Sequence, residues 1–325
     1  MHEFELIKKY FSKLSKKNKS ALNLNDDVFF DKKKELVISI DTYNDKNHFI
    51  NFNKPDLVIK KIIRSSISDL ICKGVQPKFY FISGSGNKKS FSNNNLLKIS
   101  KSLKQEQKKY GIFLCGGDTK FSNKLSFSIT SVGYSKDIIY RNKAKINDDI
   151  YVTGNLGDSF MGLQILKKKI KFNKKINDYF INKYYQPDIQ LKIAKKLSTF
   201  ANSSIDISDG LIADLEKLLN EQGEEIALIM LGGVNYYTGQ VFDFKKITDL
   251  GHKKGIKVGF DLAHAAGNIK LELHNWKVDF AVWCSYKYLN SGPGSVAGAY
   301  IHSRHHDTNL LRFSGWWGHN KDDRF

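Results

Sequence analysis

Apolar residues in the first part of the chain recur with helical and extended spacings in turn. Spacings of three and four predict helices that include Phe4–Leu14, Ile63–Ile71 and Leu96–Leu103, with others near 188–200 and 209–219. Short β-rich or alternating runs predict the strands Leu36–Ile40, Lys78–Ser83, Ile112–Cys115, Leu125–Ile129 and Ile150–Thr153. The interleaving of both kinds of element indicates an α/β (α+β) fold.

The last part of the chain, from about residue 221, continues the α/β pattern with a different composition. It predicts the strands Ile226–Leu231, Ile256–Phe260 and Phe280–Cys284 and a helix at 243–254. Residues 1–220 hold 40 Lys and Arg against 22 Asp and Glu, whereas residues 221–325 hold 12 against 11. All four Trp and seven of the nine His also lie in this last part. We therefore interpret the chain as two different sequences joined end to end.

Bulk composition excludes several classes of protein. The 325 residues are enough for two domains, and no apolar run approaches the ~20 residues that a membrane span requires. The formal net charge of +19 arises from lysines spread through the first part without a nucleic-acid-binding motif. Three scattered cysteines form no disulfide framework, and no secretory signal is evident. These features predict a cytoplasmic protein that binds neither nucleic acid nor membrane.

Carboxylates recur in the first part at strand ends and loop starts, several of them beside Gly, Ser or Thr. They are Asp26, Asp27, Asp41, Asp69, Asp118, Asp206 and Asp209. Any one of these motifs is more typical of a turn or a helix N-cap. Together they supply the oxygen ligands that Mg²⁺ prefers, and the adjacent glycines let backbone N–H groups approach phosphate oxygens. The set predicts a phosphoryl-transfer site that holds several Mg²⁺ ions.

The order and spacing of these motifs resemble the thiamine-monophosphate kinases, of the aminoimidazole ribonucleotide synthetase-like superfamily. The matching segments are Asn25-Asp26-Asp27, Ser39-Ile40-Asp41-Thr42, Asn47-His48-Phe49, Ser68-Asp69-Leu70, Gly116-Gly117-Asp118-Thr119, Arg141 with Ala144-Lys145, Val152-Thr153-Gly154, Leu156-Gly157-Asp158-Ser159 and Asp206-Ile207-Ser208-Asp209-Gly210-Leu211. The resemblance implies a kinase N-terminal ATP- and Mg²⁺-binding domain at 1–140, which also forms a homodimer, and a truncated second domain at 141–220.

The resemblance also implies a role for each matching residue. The Mg²⁺ ligands would be Asp27, Ser39, Ile40 (through its backbone), Asp41, Asp69, Asp118, Asp206 and Asp209. The contacts to ATP would be Tyr110, Gly117, Asp118, Arg141 and Ser208, and the contact to thiamine monophosphate would be His48. The implied reaction transfers the γ-phosphoryl group of ATP to thiamine monophosphate, giving thiamine diphosphate. Because the acceptor is already an ionised phosphate, alignment and charge neutralisation would suffice, with Asp118 and Arg141 as the catalytic residues.

The resemblance to these kinases breaks off near Leu219. The later glycine-rich segment of the family carries an Asp-Tyr-Glu run, whereas Gly232-Gly233 in this chain is followed by Val234-Asn235-Tyr236-Tyr237 without a carboxylate. The family's C-terminal aromatic residue also has no counterpart. A half-domain is expected to leave strand edges and apolar faces uncovered.

In the last part, Lys287 follows one predicted strand and Asp261 ends another. A pyridoxal phosphate site uses these residue types, because the lysine forms the Schiff base and the aspartate keeps the pyridine nitrogen protonated. On their own, however, the two residues are more typical of a surface lysine and a helix-capping aspartate.

Longer segments of the last part closely resemble kynureninase. They are Gly233–Gln240, Gly259–Asn268, Cys284–Asn290 and Gly315–His319. The resemblance implies that residues 221–325 are a fragment of a type I pyridoxal-phosphate (aminotransferase-like) large domain, with Lys287 as the catalytic Schiff-base lysine. Its other implied cofactor contacts are Asp261 at the pyridine nitrogen, His264 beside the ring, and Tyr286 and Trp316 at the phosphate. The family's upstream phosphate loop and downstream small domain are missing, so we expect no efficient hydrolysis of kynurenine to anthranilate and alanine.

Three functions therefore stay open at the level of sequence. The first is an ATP-dependent kinase of thiamine monophosphate, which accounts for most of the motif residues. The second is a pyridoxal-phosphate-dependent kynureninase fragment with a foreign N-terminal part. The third is an inactive chimera of the two.

Overall fold

The computed structural model describes residues 6–145, 148, 150–220 and 228–306. Contacts between residues divide the chain into two compact units, Met1–Glu224 and Glu225–Phe325. The first is called unit 1 and the second unit 2. Each has its own buried apolar core, and each is described by itself.

Unit 1 is built on a six-stranded mixed sheet. Its strands are β1 (Phe29–Asp31), β2 (Leu36–Asn44), β3 (Pro77–Gly86), β4 (Phe113–Gly116), β5 (Thr119–Phe121) and β6 (Ser126–Tyr134). The spatial order is β1-β2-β6-β3-β4, with β5 also paired to β3. The pairs β1–β2, β2–β6 and β6–β3 are antiparallel, whereas β4 and β5 both run parallel to β3.

Two long helices, α1 (Pro55–Cys72) and α2 (Asn93–Tyr110), pack together in this unit. Pro55 begins α1 with its fixed backbone torsion, and Gly74 follows the helix with a φ of 79°. Four fully buried isoleucines form the apolar stripe of α1, which enters the main core of the unit. They are Ile59, Ile62, Ile63 and Ile67. The spacing of three and four that predicted this helix is therefore the spacing of its buried face.

A buried ion pair joins the two helices to the chain beyond them. Arg64 on α1 donates to both carboxylate oxygens of Glu106 on α2, at 2.8 and 3.1 Å. The same guanidinium donates to the backbone carbonyl of Pro187 at 3.2 Å. Because both charged groups are almost completely buried, their bidentate pairing is what makes their burial tolerable.

After the sheet, unit 1 contains further helices joined by irregular segments. The helices are α3 (Asp158–Leu166), α4 (Lys174–Tyr185), α5 (Leu191–Leu197) and α6 (Leu211–Asn220). α3 packs closely on α4, where Gly162 lies against the Phe180 backbone, and Tyr179 donates a 2.8 Å hydrogen bond to Asp158. The prediction of a strand at Ile150–Thr153 was wrong, because these residues are irregular and exposed and have no neighbouring strand to pair with.

Unit 2 contains a four-stranded sheet and a helix. The elements are β7 (Leu228–Gly232), α7 (Phe244–His252), β8 (Lys257–Asp261), β9 (Phe280–Trp283) and β10 (Gly298–Ile301), and the strand order is β10-β9-β8-β7. Strands β7, β8 and β9 are parallel, and β10 pairs antiparallel with β9. Val258, Phe260 and Leu262 are fully buried in its core.

Among the residues that the structure describes, no helix combines the length and the apolar character needed to cross a membrane.

Candidate functional site

The acidic residues of unit 1 come from distant stretches of the chain and interact electrostatically in the fold. Asp27 lies just before β1, Asp41 within β2, Asp69 in the last turn of α1, and Asp206 in the irregular segment before α6. The charges of Asp41, Asp206 and Asp27 all act on Asp69. β2 runs past Asp41, so the prediction that the strand ends there was wrong, because the ladder to β6 continues as far as Asn44.

Two basic residues neutralise one side of this cluster. The Lys73 ammonium lies 2.8 Å from Asp26 Oδ1 and 2.9 Å from Asp27 Oδ2. Arg141 Nη1 donates to Asp27 Oδ1 at 3.1 Å, and its Nη2 donates to the Asn25 carbonyl at 2.5 Å. Burial alone would oppose ionisation of Asp27, but Lys73 and Arg141 outweigh it and lower the pKa of this carboxyl.

The other side of the cluster has an excess of negative charge. Burial raises the pKa of Asp69 well above its usual value, and Asp41 and Asp206 raise it further. Burial likewise raises the pKa of Asp206 to about 6, although a 2.6 Å hydrogen bond from Ser68 favours the charged form. Burial also raises the pKa of Asp41, which accepts a 2.9 Å hydrogen bond from Tyr43. A divalent cation would stabilise such carboxylates, because it would offset their mutual repulsion in a partly buried site.

Three potential ligand atoms of this cluster lie close to one another. Asp27, Cys72 and Asp206 each offer a ligand atom within 4.8 Å of the others, and the carboxylate oxygens are hard donors of the kind Mg²⁺ takes. The Cys72 thiol donates to the Asp69 carbonyl at 3.1 Å, and burial raises its pKa well above the usual value. It is therefore protonated and leaves the metal chemistry to the carboxylates.

The remaining predicted metal ligands are more scattered. Ser39 is buried and its hydroxyl donates to the Ser66 carbonyl at 3.4 Å, while the Ile40 side chain is exposed. The Asp118 side chain is exposed, accepts a 2.8 Å hydrogen bond from the Thr119 backbone, and lies 3.7 Å from Lys120. None of the interactions seen between described residues links Asp118 to the other carboxylates of the cluster.

The predicted ATP contacts lie in contrasting environments. Tyr110 ends α2 and is buried in the core beside Arg64, and this burial raises the pKa of its hydroxyl to about 12. Gly117 comes so close to β3 that an added Cβ would lie 1.7 Å from the carbonyl oxygen of Ile82, so only glycine fits. Ser208 is exposed before α6.

His48, the predicted contact to thiamine monophosphate, is exposed and linked to the acidic cluster. Its Nδ1 accepts a 3.0 Å hydrogen bond from the Asn44 backbone, and its ring packs edge-on against Tyr43 at 5.8 Å. Tyr43 also donates to Asp41, so a single side chain, that of Tyr43, connects His48 to the carboxylates. A substrate held by His48 would thus be beside the cluster.

Sequence reasoning missed two features of this site. Lys73 was not singled out, although a lysine four residues after Asp69, at the end of the predicted helix, could have suggested pairing with a carboxylate. Asp214 was also missed, and its Oδ2 accepts backbone hydrogen bonds of 2.9, 2.9 and 3.0 Å from Ser208, Asp209 and Gly210. Asp214 thereby fixes the loop that carries Asp209, which also pairs with Lys217 at 2.7 Å.

In unit 2, the predicted pyridoxal phosphate residues lie at the carboxyl ends of parallel strands. Asp261 ends β8, and the segment after β9 places Lys287 Nζ 3.0 Å from His264 Nε2. The exposed ring of Tyr286 lies near the same ammonium, at 5.9 Å. A lysine, a histidine and a carboxylate at one sheet edge fit this cofactor. Trp316 lies outside the described residues.

A basic groove of about 710 Å³ lies at the other end of the same strands. Its centre is the buried Asp279, whose Oδ2 is 2.7 Å from His252 Nε2 and whose Oδ1 is 2.6 Å from His305 Nε2. Asp279 also pairs with Arg304, and these partners outweigh burial and lower its pKa. The Asp279 cluster was not predicted from the sequence, because its members are far apart along the chain.

Comparison with known families divides the chain in two. Residues 23–135 match the AIR synthase related protein, N-terminal domain. Residues 191–313 match aminotransferase class-V, a range that begins within unit 1. The chain thus matches two different family models over separate ranges of residues. The predicted fold class, a kinase-type α/β domain followed by an aminotransferase-like fragment, is confirmed.

Solved structures similar to the chain include thiamine monophosphate kinases. The structure of AaThiL complexed with AMPPCP and TMP has a TM-score of 0.64 and 26% identity, and covers 78% of this chain and 79% of that one. Thiamine monophosphate kinase from Aquifex aeolicus has a TM-score of 0.62 and 25% identity, over 79% of this chain and 83% of that one. The predicted resemblance of the first part to this family is confirmed.

Curated relatives of the last part are kynureninases. That of Flavobacterium psychrophilum is 66% identical over 115 residues, which are 35% of this chain and 27% of the relative. That of Flavobacterium johnsoniae is 65% identical over the same length. The chain thus spans about a quarter of the length of the curated relatives it matches.

Proposed function

We propose that unit 1 is a Mg²⁺-dependent phosphotransferase that transfers the γ-phosphoryl group of ATP to thiamine monophosphate. The observation that carries the proposal is that Asp27, Asp41, Asp69 and Asp206 come together from distant stretches of the chain in one partly buried cluster, where a divalent cation would stabilise their ionised forms. The similarity to AaThiL complexed with AMPPCP and TMP supports the same substrates. ATP is the co-substrate, and the domain at 1–140 is proposed to form the homodimer.

The residues of the chain would divide the work of this reaction. Bound Mg²⁺ would supply charge neutralisation on the phosphates. Asp41, Asp69 and Asp206 would hold the metal, while Arg141, already aligned by Asp27, would orient toward the transferred group. His48 would hold the phosphate of the acceptor beside Asp41. We also propose Asp118, with the glycine turn before it, as the contact to the ATP phosphates.

Nucleotide protection tests the kinase proposal. Mg²⁺ with ATP is expected to raise the thermal unfolding midpoint of the wild type, because a ligand that binds only the folded state stabilises it by about 2.7 kcal/mol at a hundredfold excess over Kd. Asp69→Asn and Asp118→Asn are expected to abolish this protection. Asp137→Asn is the matched control, since Asp137 is an exposed aspartate 4.0 Å from Lys32 and away from the cluster.

Product formation separates binding from turnover. Chromatography of a reaction with thiamine monophosphate should show thiamine diphosphate only when ATP and Mg²⁺ are both present. Protection without product would mean that unit 1 binds nucleotide but lacks the second-domain elements that hold the acceptor. Loss of both in the wild type would favour an inactive chimera.

The second candidate function is pyridoxal phosphate binding in unit 2. It is supported by the 3.0 Å contact between Lys287 and His264 and by Asp261 at the same sheet edge. Tyr286 and Trp316 would contact the cofactor's phosphate. Addition of the cofactor should produce a visible absorbance band that Lys287→Ala removes and Lys277→Ala keeps.

A further inference from the structure

Lys73 is a completely buried lysine with a full set of acceptors. Its Nζ lies 2.8 Å from Asp26 Oδ1, 2.9 Å from Asp27 Oδ2 and 3.1 Å from the carbonyl oxygen of Ser204. The first two contacts are ion pairs and the third is a hydrogen bond, so three oxygen atoms surround the ammonium group. The residue directly follows α1, and its acceptors come from the loop before β1 and from the segment that carries Asp206. One side chain therefore fixes three separate pieces of the site.

The position of this ammonium is the one that a cation would take. Asp27 presents Oδ2 to Lys73 and Oδ1 to Arg141, so both of its oxygens face positive groups of the chain itself. Asp27 also contributes to the set of donor atoms with Cys72 and Asp206 that lie within 4.8 Å of one another. Lys73 thus supplies positive charge at a place where donors converge.

We propose that Lys73 is a positioning residue that replaces one divalent cation in the acidic cluster. In this arrangement the two positive charges of Lys73 and Arg141 balance those of Asp26 and Asp27, and metal ions bind through Asp41, Asp69 and Asp206 without Asp27. The inference rests on the proposed function, because it concerns the metal requirement of the same site. It limits the role that the sequence predicted for Asp27 as a metal ligand.

If an apolar group replaces the Lys73 ammonium, we expect the site to bind an additional divalent cation in its place. Lys73→Met keeps the length of the side chain but leaves two buried carboxylates without their counter-charge. The unliganded variant should therefore be much less stable than the wild type. A divalent cation can bind where the Lys73 ammonium was. It would restore stability because it supplies the positive charge that the methionine side chain lacks.

The test uses Mn²⁺ alone, without nucleotide or thiamine monophosphate. Electron paramagnetic resonance of free Mn²⁺ should show that Lys73→Met binds one more ion per chain than the wild type, and Mn²⁺ should raise its unfolding midpoint more than that of the wild type. Lys61→Met is the matched control. Lys61 lies within α1 and is half-buried, but its Nζ donates to the Tyr184 carbonyl at 3.3 Å. Equal Mn²⁺ binding by Lys73→Met, Lys61→Met and the wild type would overturn the inference.

A second pair of variants decides the matter if Lys73→Met does not fold. Asp27→Asn should keep the number of Mn²⁺ ions that the wild type binds, whereas Asp69→Asn should lose at least one. Loss of an ion in Asp27→Asn would overturn the role of Lys73 and leave the proposed function intact. Absence of Mn²⁺ binding in the wild type would overturn both.

Discussion

At the residue scale, Asp206 connects metal binding to pH. It accepts a hydrogen bond from Ser68 and is half-buried near Asp27, and its pKa is raised from 3.8 to about 6. A carboxyl whose pKa is higher in the folded chain favours folding below its unfolded pKa, and this contribution is lost as pH rises through the folded value. Without metal, ionisation of Asp206 above pH 6 therefore costs stability, on the order of 3 kcal/mol.

Mg²⁺ should stabilise the chain in a pH-dependent way. The increase in unfolding midpoint on adding Mg²⁺ is expected to be small at pH 5, where Asp206 is protonated, and to grow between pH 5 and 7 as the carboxylate forms. Thermal unfolding in matched buffers measures it. Asp206→Asn should flatten the profile, and a wild-type Mg²⁺ effect of equal size at both ends of this range would contradict the argument.

At the scale of elements, the contact between α3 and α4 depends on a glycine, Gly162, which has no side chain to separate the two helices. A Cβ built on Gly162 would lie 2.1 Å from the carbonyl oxygen of Phe180, so the two helices pack at a distance that only glycine permits. Any larger residue must push α4 away or bend α3. The same close approach explains why a glycine interrupts the apolar pattern of this helix.

Gly162→Ala should therefore destabilise unit 1 by about 3 kcal/mol, because overpacking outweighs the better helix propensity of alanine. Urea unfolding followed by far-ultraviolet circular dichroism measures the change. Ser159→Ala in the same helix is the control, since Ser159 is exposed and should change stability by less than about 0.5 kcal/mol. Equal effects of the two substitutions would mean that the helices can separate freely.

Elements that are determined by a pattern of neighbouring residues could be predicted, whereas elements that depend on a distant partner could not. The buried stripe of α1 and the alternation of β6 are local patterns, and both elements were found, although α1 begins at Pro55 instead of Ile63 and β6 ends at Tyr134 instead of Ile129. Ile150–Thr153 has the composition of a strand, but a strand also needs a partner that composition cannot supply. β10 was missed because its short glycine- and tyrosine-containing run carries no clear period.

Prediction of the candidate site was limited in the same way, because contacts between distant residues leave no local pattern in the sequence. The carboxylates could be proposed as one cluster because the order of their motifs resembled a known family, and the fold joins Asp27, Asp41, Asp69 and Asp206 through their charges. The pairing of Lys73 with Asp26 spans 47 residues of chain, and no periodicity encodes such a contact. Sequence thus identified the groups that carry negative charge, and only the fold showed which of them are already neutralised.

At the scale of the whole molecule, the two units differ in their optical probes. All four tryptophans of the chain lie after residue 224, and Trp276 and Trp283 pack against the core of unit 2. The long helices α1 and α2 lie in unit 1. Tryptophan fluorescence therefore reports on unit 2, whereas far-ultraviolet circular dichroism is dominated by unit 1.

Because each unit has its own core, we predict two unfolding transitions, each of which can be shifted by a substitution in one unit. Val258→Ala should destabilise unit 2 by about 2 kcal/mol and shift the fluorescence transition alone. Ile59→Val should cost about 1 kcal/mol and shift the dichroism transition alone. Urea titrations of both variants with both probes provide the measurement. A single transition that moves with either substitution would show that the units unfold as one.

Exposed aromatic residues before, within and after the helices α3–α5 affect how the molecule behaves in solution. Tyr151, Phe160 and Phe200 are 84, 60 and 66% exposed. Such surfaces attract one another and also bind dyes that fluoresce on apolar protein. Sedimentation should thus reveal larger species as the sample is concentrated, and mild detergent should return them to smaller ones.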